Sequence, residues 1–357
     1  MAMRLLRSCL VIAALMVPPT ATLAKPRSQP KKQGDAGGVR TTRLTLQLPP
    51  IGNGSKLRLL ADPNELTDAD AYPLFTRAAQ LLGNLPNPDK FWEWARLEPD
   101  KLPMDEVGQT LAQCEPLGKL LEQAADCNQC GWPAWKPGTA PPMLREYRSF
   151  AWLLALQARY EVAQKNYEEA VRTLRAGFAM ARHLGNGPTL IHGMVANAVA
   201  AVMCRQVATL AEQPGTPSLY AALDALPRPF ISFERQIKAE MDNLDKDPRF
   251  NALNRWAARR TLRPAHDRVR LLAKRLSRDI AALQCIEALR LHAAAHEGHL
   301  PANLSEVTNW TIPNDPLAEQ PFNYTCADGT AILSSPPPKG GSAKEALRYE
   351  LTMAEIK

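Results

Sequence analysis

The sequence predicts a mainly α protein, a helical bundle followed by a long helix packed on a small three-stranded antiparallel sheet. Three observations lead there. From Leu66 onward, apolar residues recur at three- and four-residue spacing in segments punctuated by Pro and Gly, the period of amphipathic helices. Between Val269 and Gly298 that pattern runs almost without a break. From Phe322 to Met353 the period falls to two, with an Asp328-Gly329 hairpin turn between the first two alternating runs.

Residues 1–24 read as a secretory signal: Arg4 and Arg7 precede the apolar run "SCLVIAALMV", and Thr22 and Ala24 supply small residues for cleavage. Retention of this segment as a membrane anchor is the alternative. Residues 25–60 are expected to form a basic, largely disordered arm, because "KPRSQPKKQGDAGG" holds too little apolar surface to fold. The formal charge of +7 is concentrated in the signal and this arm, so the body is neutral.

Residues 61–245 are expected to form the helical domain. Thr67 is the expected N-cap of a helix whose inner face is Leu74, Ala78, Leu81 and Leu82. A second helix follows with Val107, Leu111, Cys114, Leu117, Leu121 and Ala124 inside. Residues 145–185 contain two helices broken near "QKN", with Ala170, Leu174 and Gly177 at a small, large, small spacing. With Ala158 and Tyr167 this pair resembles one tetratricopeptide (TPR) hairpin, which implies a TPR-like helical layer rather than an array. The segment from Leu190 to Met203 is apolar nearly all round and is expected to be the central buried helix, with Gly193, Ala196 and Ala200 as its close-packing stripe. His192 within it is expected to be a core residue hydrogen-bonded to backbone.

Residues 246–298 are expected to be a basic helical connector and the long helix. Between Arg249 and Asp279, ten Arg and Lys residues face Asp267 and Asp279, a local net charge of +8. The expected arrangement is a solvated helix pair offset by acidic "EMDNLDKD". An anionic polymer or a membrane surface is the partner class for this run and for the arm. Nucleic acid is not expected, since Trp256 is almost the only aromatic residue among the arginines.

Residues 299–357 are expected to be an α+β module. Gly298 ends the helix, and Leu300, Pro301 and Leu304 make a turn. Asp315 and Pro316 lead to Pro321, Phe322 and Tyr324 and the strands. This order of residues resembles the globular part of the major pseudopilins of type II secretion, and the whole chain is similar to exported helical proteins of bacteria that end in such a module. The resemblance implies the fold of the module. It does not carry over calcium ligands, and the basic helix leading in differs from the pseudopilin pattern. Leu289, Leu291 and Ile286 are expected to pack on Tyr324, Ile332 and Leu351.

Two constellations bear on chemistry. His292 and His296 stand one helical turn apart with His299 just beyond, a spacing from which a zinc ion could draw ligands. "HAAAH" has Ala where a metalloprotease carries its general base, and "HEGH" is one residue short. Cys127 and Cys130 follow a helix rather than a strand, so the expectation is a structural disulfide in an oxidising compartment, with Cys114 as a further candidate. No Gly-rich phosphate loop, nucleophile elbow or paired-carboxylate signature occurs. The sequence therefore points to an exported, non-catalytic protein-interaction or scaffold protein of the periplasm or cell envelope, without a cofactor. The alternative is a metal-dependent envelope hydrolase using His292, His296 and His299. Export is checked by N-terminal sequencing of the mature protein, which is expected to start near Lys25; retention of Met1 overturns it.

Overall fold

The computed structural model describes residues 39–50, 57–85, 88–134 and 142–355. The expected signal segment and most of the expected arm lie outside them. Nine helices run through the described residues: α1 (Ala71–Leu82), α2 (Lys90–Trp94), α3 (Met104–Ala125), α4 (Leu144–Ala163), α5 (Tyr167–Gly185), α6 (Leu190–Ala211), α7 (Tyr220–Asp224), α8 (Glu234–Lys246) and α9 (Ala252–Ala295). Six strands accompany them: β1 (Thr42–Leu46), β2 (Thr67–Asp70), β3 (Cys127–Gln129), β4 (Asn323–Ala327), β5 (Thr330–Ser335) and β6 (Leu347–Met353). The molecule is mainly helical with a small sheet.

Local chemistry sets the helix ends. Asp70 caps α1, its Oδ1 accepting the Tyr72 N–H at 2.9 Å, and Asn251 caps α9 by accepting from Asn254 N at 2.8 Å. The expected cap at Thr67 is displaced because Thr67–Asp70 is extended and pairs in parallel with β3. The helix begins at Ala71, four residues beyond Thr67 along an extended path, so the cap falls to Asp70 at the end of the strand. At the other end of α9, Glu297 and Gly298 turn the chain with φ of 53° and 84°, and the Gly298 N–H returns to Ala293 O at 2.8 Å.

The α4–α5 hairpin breaks where the sequence says, and α6 is the centre of the bundle. Val195, Ala196, Val199, Ala200, Met203 and Val207 are all buried. A Cβ at Gly193 would stand 2.7 Å from the Phe233 ring, and one at Gly177 on α5 would overlap Met203 Sδ. These two glycines let neighbours approach more closely than any side chain allows. α6 is also long and apolar enough to cross a membrane by length and composition, but 67% of its most apolar stretch is buried inside the fold.

The sheet corrects the expectation of three antiparallel strands. It has four mixed strands in the order β1-β6-β5-β4, with β1 parallel to β6 and the other pairs antiparallel. The added strand, "TRLTL", comes from the segment expected to be a disordered arm. Its Leu44 and Leu46 are buried, an alternation of two leucines that the surrounding Pro, Gly and charge conceal. Within β5 the inward residues are Ala331 and Leu333, and Ile332 lies opposite Glu350 on the other face. Both parities of "TAIL" are apolar, so only the pairing of Ala331 with buried Leu351 decides. On α9, Ile286 and Leu289 pack on the sheet as expected, together with Ala282 and Cys285, whereas Leu291 stays outside this core.

A buried ion pair joins the sheet, the bundle and the long helix. Arg290 and Glu287, one turn apart on α9, have side-chain exposures of 0% and 2% and meet at 2.7 Å. Arg290 donates through Nε to Gln47 O just past β1 at 2.9 Å and through Nη2 to Thr216 O at 3.2 Å. Glu287 accepts from Ser218 Oγ at 2.9 Å and from Leu219 N at 3.1 Å. Arg290→Met is expected to lower stability by about 3–5 kcal/mol, because it strands a buried carboxylate. In a double-mutant cycle by urea unfolding, Glu287→Leu with Arg290→Met is expected to cost clearly less than the sum of the single changes. Additive costs would show that the two groups act independently.

Candidate functional site

The three histidines that the sequence singles out stand at the C-terminal end of α9. His292 is 5% exposed, and its ring lies parallel to that of His296 at a centroid distance of 3.9 Å. His296 occupies the C-cap of α9, where its Nδ1 lies 2.8 Å from His292 O. His299 follows, with its Nδ1 3.1 Å from His296 O. Imidazole lone pairs lie in the ring plane, so two stacked rings direct them side by side instead of toward one point. Among the described residues no group of three or more His, Cys, Asp or Glu is arranged to hold a metal ion. Burial and the neighbouring His296 lower the His292 pKa.

Cys127 and Cys130 stand at and just beyond β3. Cys114, Cys127 and Cys130 are free thiols, as are Cys204, Cys285 and Cys326, so the expected disulfide is not formed in this structure. The reason is local. An extended path of three residues separates the two α-carbons by about 10 Å, beyond the reach of a disulfide. Cys127 Sγ donates to Gln123 O instead, at 3.4 Å. Burial pushes the Cys114 thiol up to about 11, and burial with nearby Asp70 pushes Cys130 up to about 12. A thiol held protonated at neutral pH is a poor nucleophile and a poor metal ligand.

Cys130 opens onto a cavity of about 460 Å³, also lined by Asn128, Gln129, Trp132, Asn186, Pro188 and Arg235. Beneath it lies an aromatic cluster. The Trp132 ring meets Tyr72 edge-on at 5.7 Å and His192 at 4.6 Å, and its indole N–H donates to His183 O at 3.3 Å. Gly131 N donates to Asp70 Oδ1 at 2.7 Å, so the carboxylate that caps α1 also holds the cavity's edge. The Tyr147 hydroxyl, wholly buried next to this cluster, has no hydrogen-bond partner among the described residues. Amides, an indole face, a neutral thiol and one guanidinium suit hydrogen-bonded recognition of a polar group.

The sequence points to Cys130 and His192 but not to this cavity, because its walls come from β3, the α5–α6 turn and α8, segments distant in the chain. The "CGW" run is the one local signal. His192 is a core histidine as expected, although its ring partner is a side chain, with Nδ1 2.8 Å from Thr189 Oγ1. His183, absent from the sequence argument, is its buried counterpart, with Nε2 3.1 Å from Ala124 O. A second omission is Asp279, whose carboxyl burial pushes up to about 6 even with Arg278 and Arg205 nearby. The raised value belongs to the packing of α9 against the sheet, and local sequence cannot show it.

These buried groups set a pH dependence. Burial holds His183 and His192 at about 4 in the folded protein against an ordinary 6.5, so between those values the unfolded chain binds more protons and stability falls as pH drops. At pH 5 the loss is about 2 kcal/mol for each histidine. Asp279, raised from 3.8 to about 6, works in the opposite sense and returns about 1 kcal/mol. Denaturant unfolding at pH 7 and pH 5 is expected to show a net loss, and His183→Gln or His192→Gln is expected to shrink it. A flat profile for the parent protein would overturn the assignment. Comparison with known proteins finds no matching family model, no matching characterised protein and no matching solved structure.

Proposed function

We propose that this chain is an exported, non-catalytic interaction or scaffold protein of the cell envelope, in which a TPR-like helical layer and a pseudopilin-like module form one continuous surface for protein partners. One observation carries the reading: side chains capable of chemistry are committed to structure. A ring nitrogen of His183, His192, His266, His296 and His299 is engaged by a backbone carbonyl, Thr189 or Glu240. The thiols beside the cavity are held protonated by burial. The buried Glu287–Arg290 network supports the scaffold part, since it fixes the C-terminal module to the body instead of leaving it on a tether. The α4–α5 hairpin supports the TPR-like part, with Ala158, Ala170, Leu174 and Gly177 all inside.

The competing reading is a metal-dependent envelope hydrolase that uses His292, His296 and His299. Genetic complementation separates the two. A strain lacking the protein is expected to be rescued fully by the His292→Ala, His296→Ala double variant. It is not expected to be rescued by Leu351→Asp, which places a charge among the buried residues Leu44, Ala331 and Leu289 and is expected to cost several kcal/mol. Loss of rescue by the double histidine variant, with stoichiometric zinc in protein purified without a histidine tag, would establish the hydrolase instead.

A further inference from the structure

The long helix changes character along its length. Its C-terminal half is buried between bundle and sheet, whereas its first turns are largely exposed and pair with α8. Among the described residues, Leu97 at 36%, Leu253 at 71% and Trp256 at 59% are the exposed large hydrophobics. Two of the three thus lie in the first two turns of α9, three residues apart. At 100° per residue, Leu253, Trp256, Arg260 and Arg263 share one face of the helix, and the Arg260 guanidinium sits 5.7 Å over the Trp256 ring.

Three acidic residues of α8 are used elsewhere. Asp245 pairs with Arg259 at 2.7 Å, Glu240 with His266 at 2.6 Å and Glu234 with Arg270 at 2.7 Å, all toward α8. Asp267, on the outward side, lies 3.5 Å from Arg270. Arg260, Arg263 and Arg268 are left without a carboxylate partner among the described residues.

We infer that this strip docks the protein on an anionic phospholipid bilayer. An exposed Leu and Trp followed on the same face by arginines is the arrangement of a helix that lies in a membrane interface, with the indole and aliphatic groups among the upper acyl chains and the guanidinium groups at the phosphates. The apolar pair decides between two anionic partners. Either a polyanion or a bilayer satisfies unpaired arginines, but only a bilayer offers an apolar phase for Leu253 and Trp256. The inference deepens the envelope reading by naming a surface, and rests on it only for the compartment in which the contact is made.

The test uses the mature protein and vesicles in vitro, so it can fail while the envelope reading stands, and the reverse. Co-sedimentation with vesicles containing phosphatidylglycerol is expected, and with pure phosphatidylcholine vesicles it is not. Leu253→Ser with Trp256→Ser is expected to weaken vesicle binding about tenfold with the melting temperature unchanged, because both side chains are exposed. Brominated lipid is expected to quench the parent protein's tryptophan emission and to quench that of Trp256→Phe less. Absence of vesicle binding, equal binding to both lipids, or binding by the double variant within about twofold of the parent would overturn the proposal. Undiminished binding of that variant together with displacement by dextran sulfate would assign the strip to a soluble polyanion.

Discussion

Arg290 is the largest side chain removed completely from water among the described residues, and a buried guanidinium is tolerated only where its charge and its donors are matched. Here Glu287 matches the charge, and two backbone carbonyls, Gln47 O and Thr216 O, take the remaining directions. Those carbonyls belong to the residue after β1 and to the loop between α6 and α7. The arginine can therefore be buried only when three distant parts of the chain are in place together. Nearby bonds repeat the constraint, with Gln47 N donating to Ala211 O and Ala354 N to Leu46 O, and Thr45 N donating to Glu212.

That constraint explains why the small sheet is stable and why it has four strands. One row of residues runs across it: Leu44, Leu351, Ala331 and Cys326. Three strands alone would leave β6 as an edge with Leu351 at its margin. β1 covers that edge in parallel, while α9 covers the inner face with Ala282, Cys285, Ile286 and Leu289. The module is thus part of the body through α9 and through a strand contributed from the other end of the chain.

Electrostatics vary along α9 in step with its burial. At its start the arginines face water or α8, and Asp245 and Glu234 of α8 pair with Arg259 and Arg270 at exposed positions where an ion pair adds little stability. Further along, Arg275 and Arg278 turn to Glu345 and its carbonyl, and at Arg290 the charge is fully enclosed. The same residue type stands free in water, in surface ion pairs and enclosed in the core within one helix, and only the surroundings distinguish the three. Burial acts on the histidines and cysteines in a comparable way. His183 and His192 are kept neutral and the thiols protonated because the low-polarity interior disfavours their charged forms.

The sequence by itself determined the helical class, the breaks between α4, α5 and α6, the apolar centre at α6, the hairpin at Asp328-Gly329 and the inner face of α3. Each rests on periodicity or turn chemistry, which act over a few residues. It also placed His192 in the core and the basic run beside an acidic helix. The tertiary structure alone decided the rest. Whether "TRLTL" is arm or strand depends on a partner three hundred residues away. Which of Ile332 and Leu333 faces inward depends on register, and whether Cys127 and Cys130 can meet depends on the extended path of β3. The stacking of His292 on His296 was equally hidden, because spacing fixes how near two rings stand and not where their lone pairs point. Long-range pairing is set by the summed packing of surfaces that no local window contains, and the strand, the cavity and the buried arginine all depend on it.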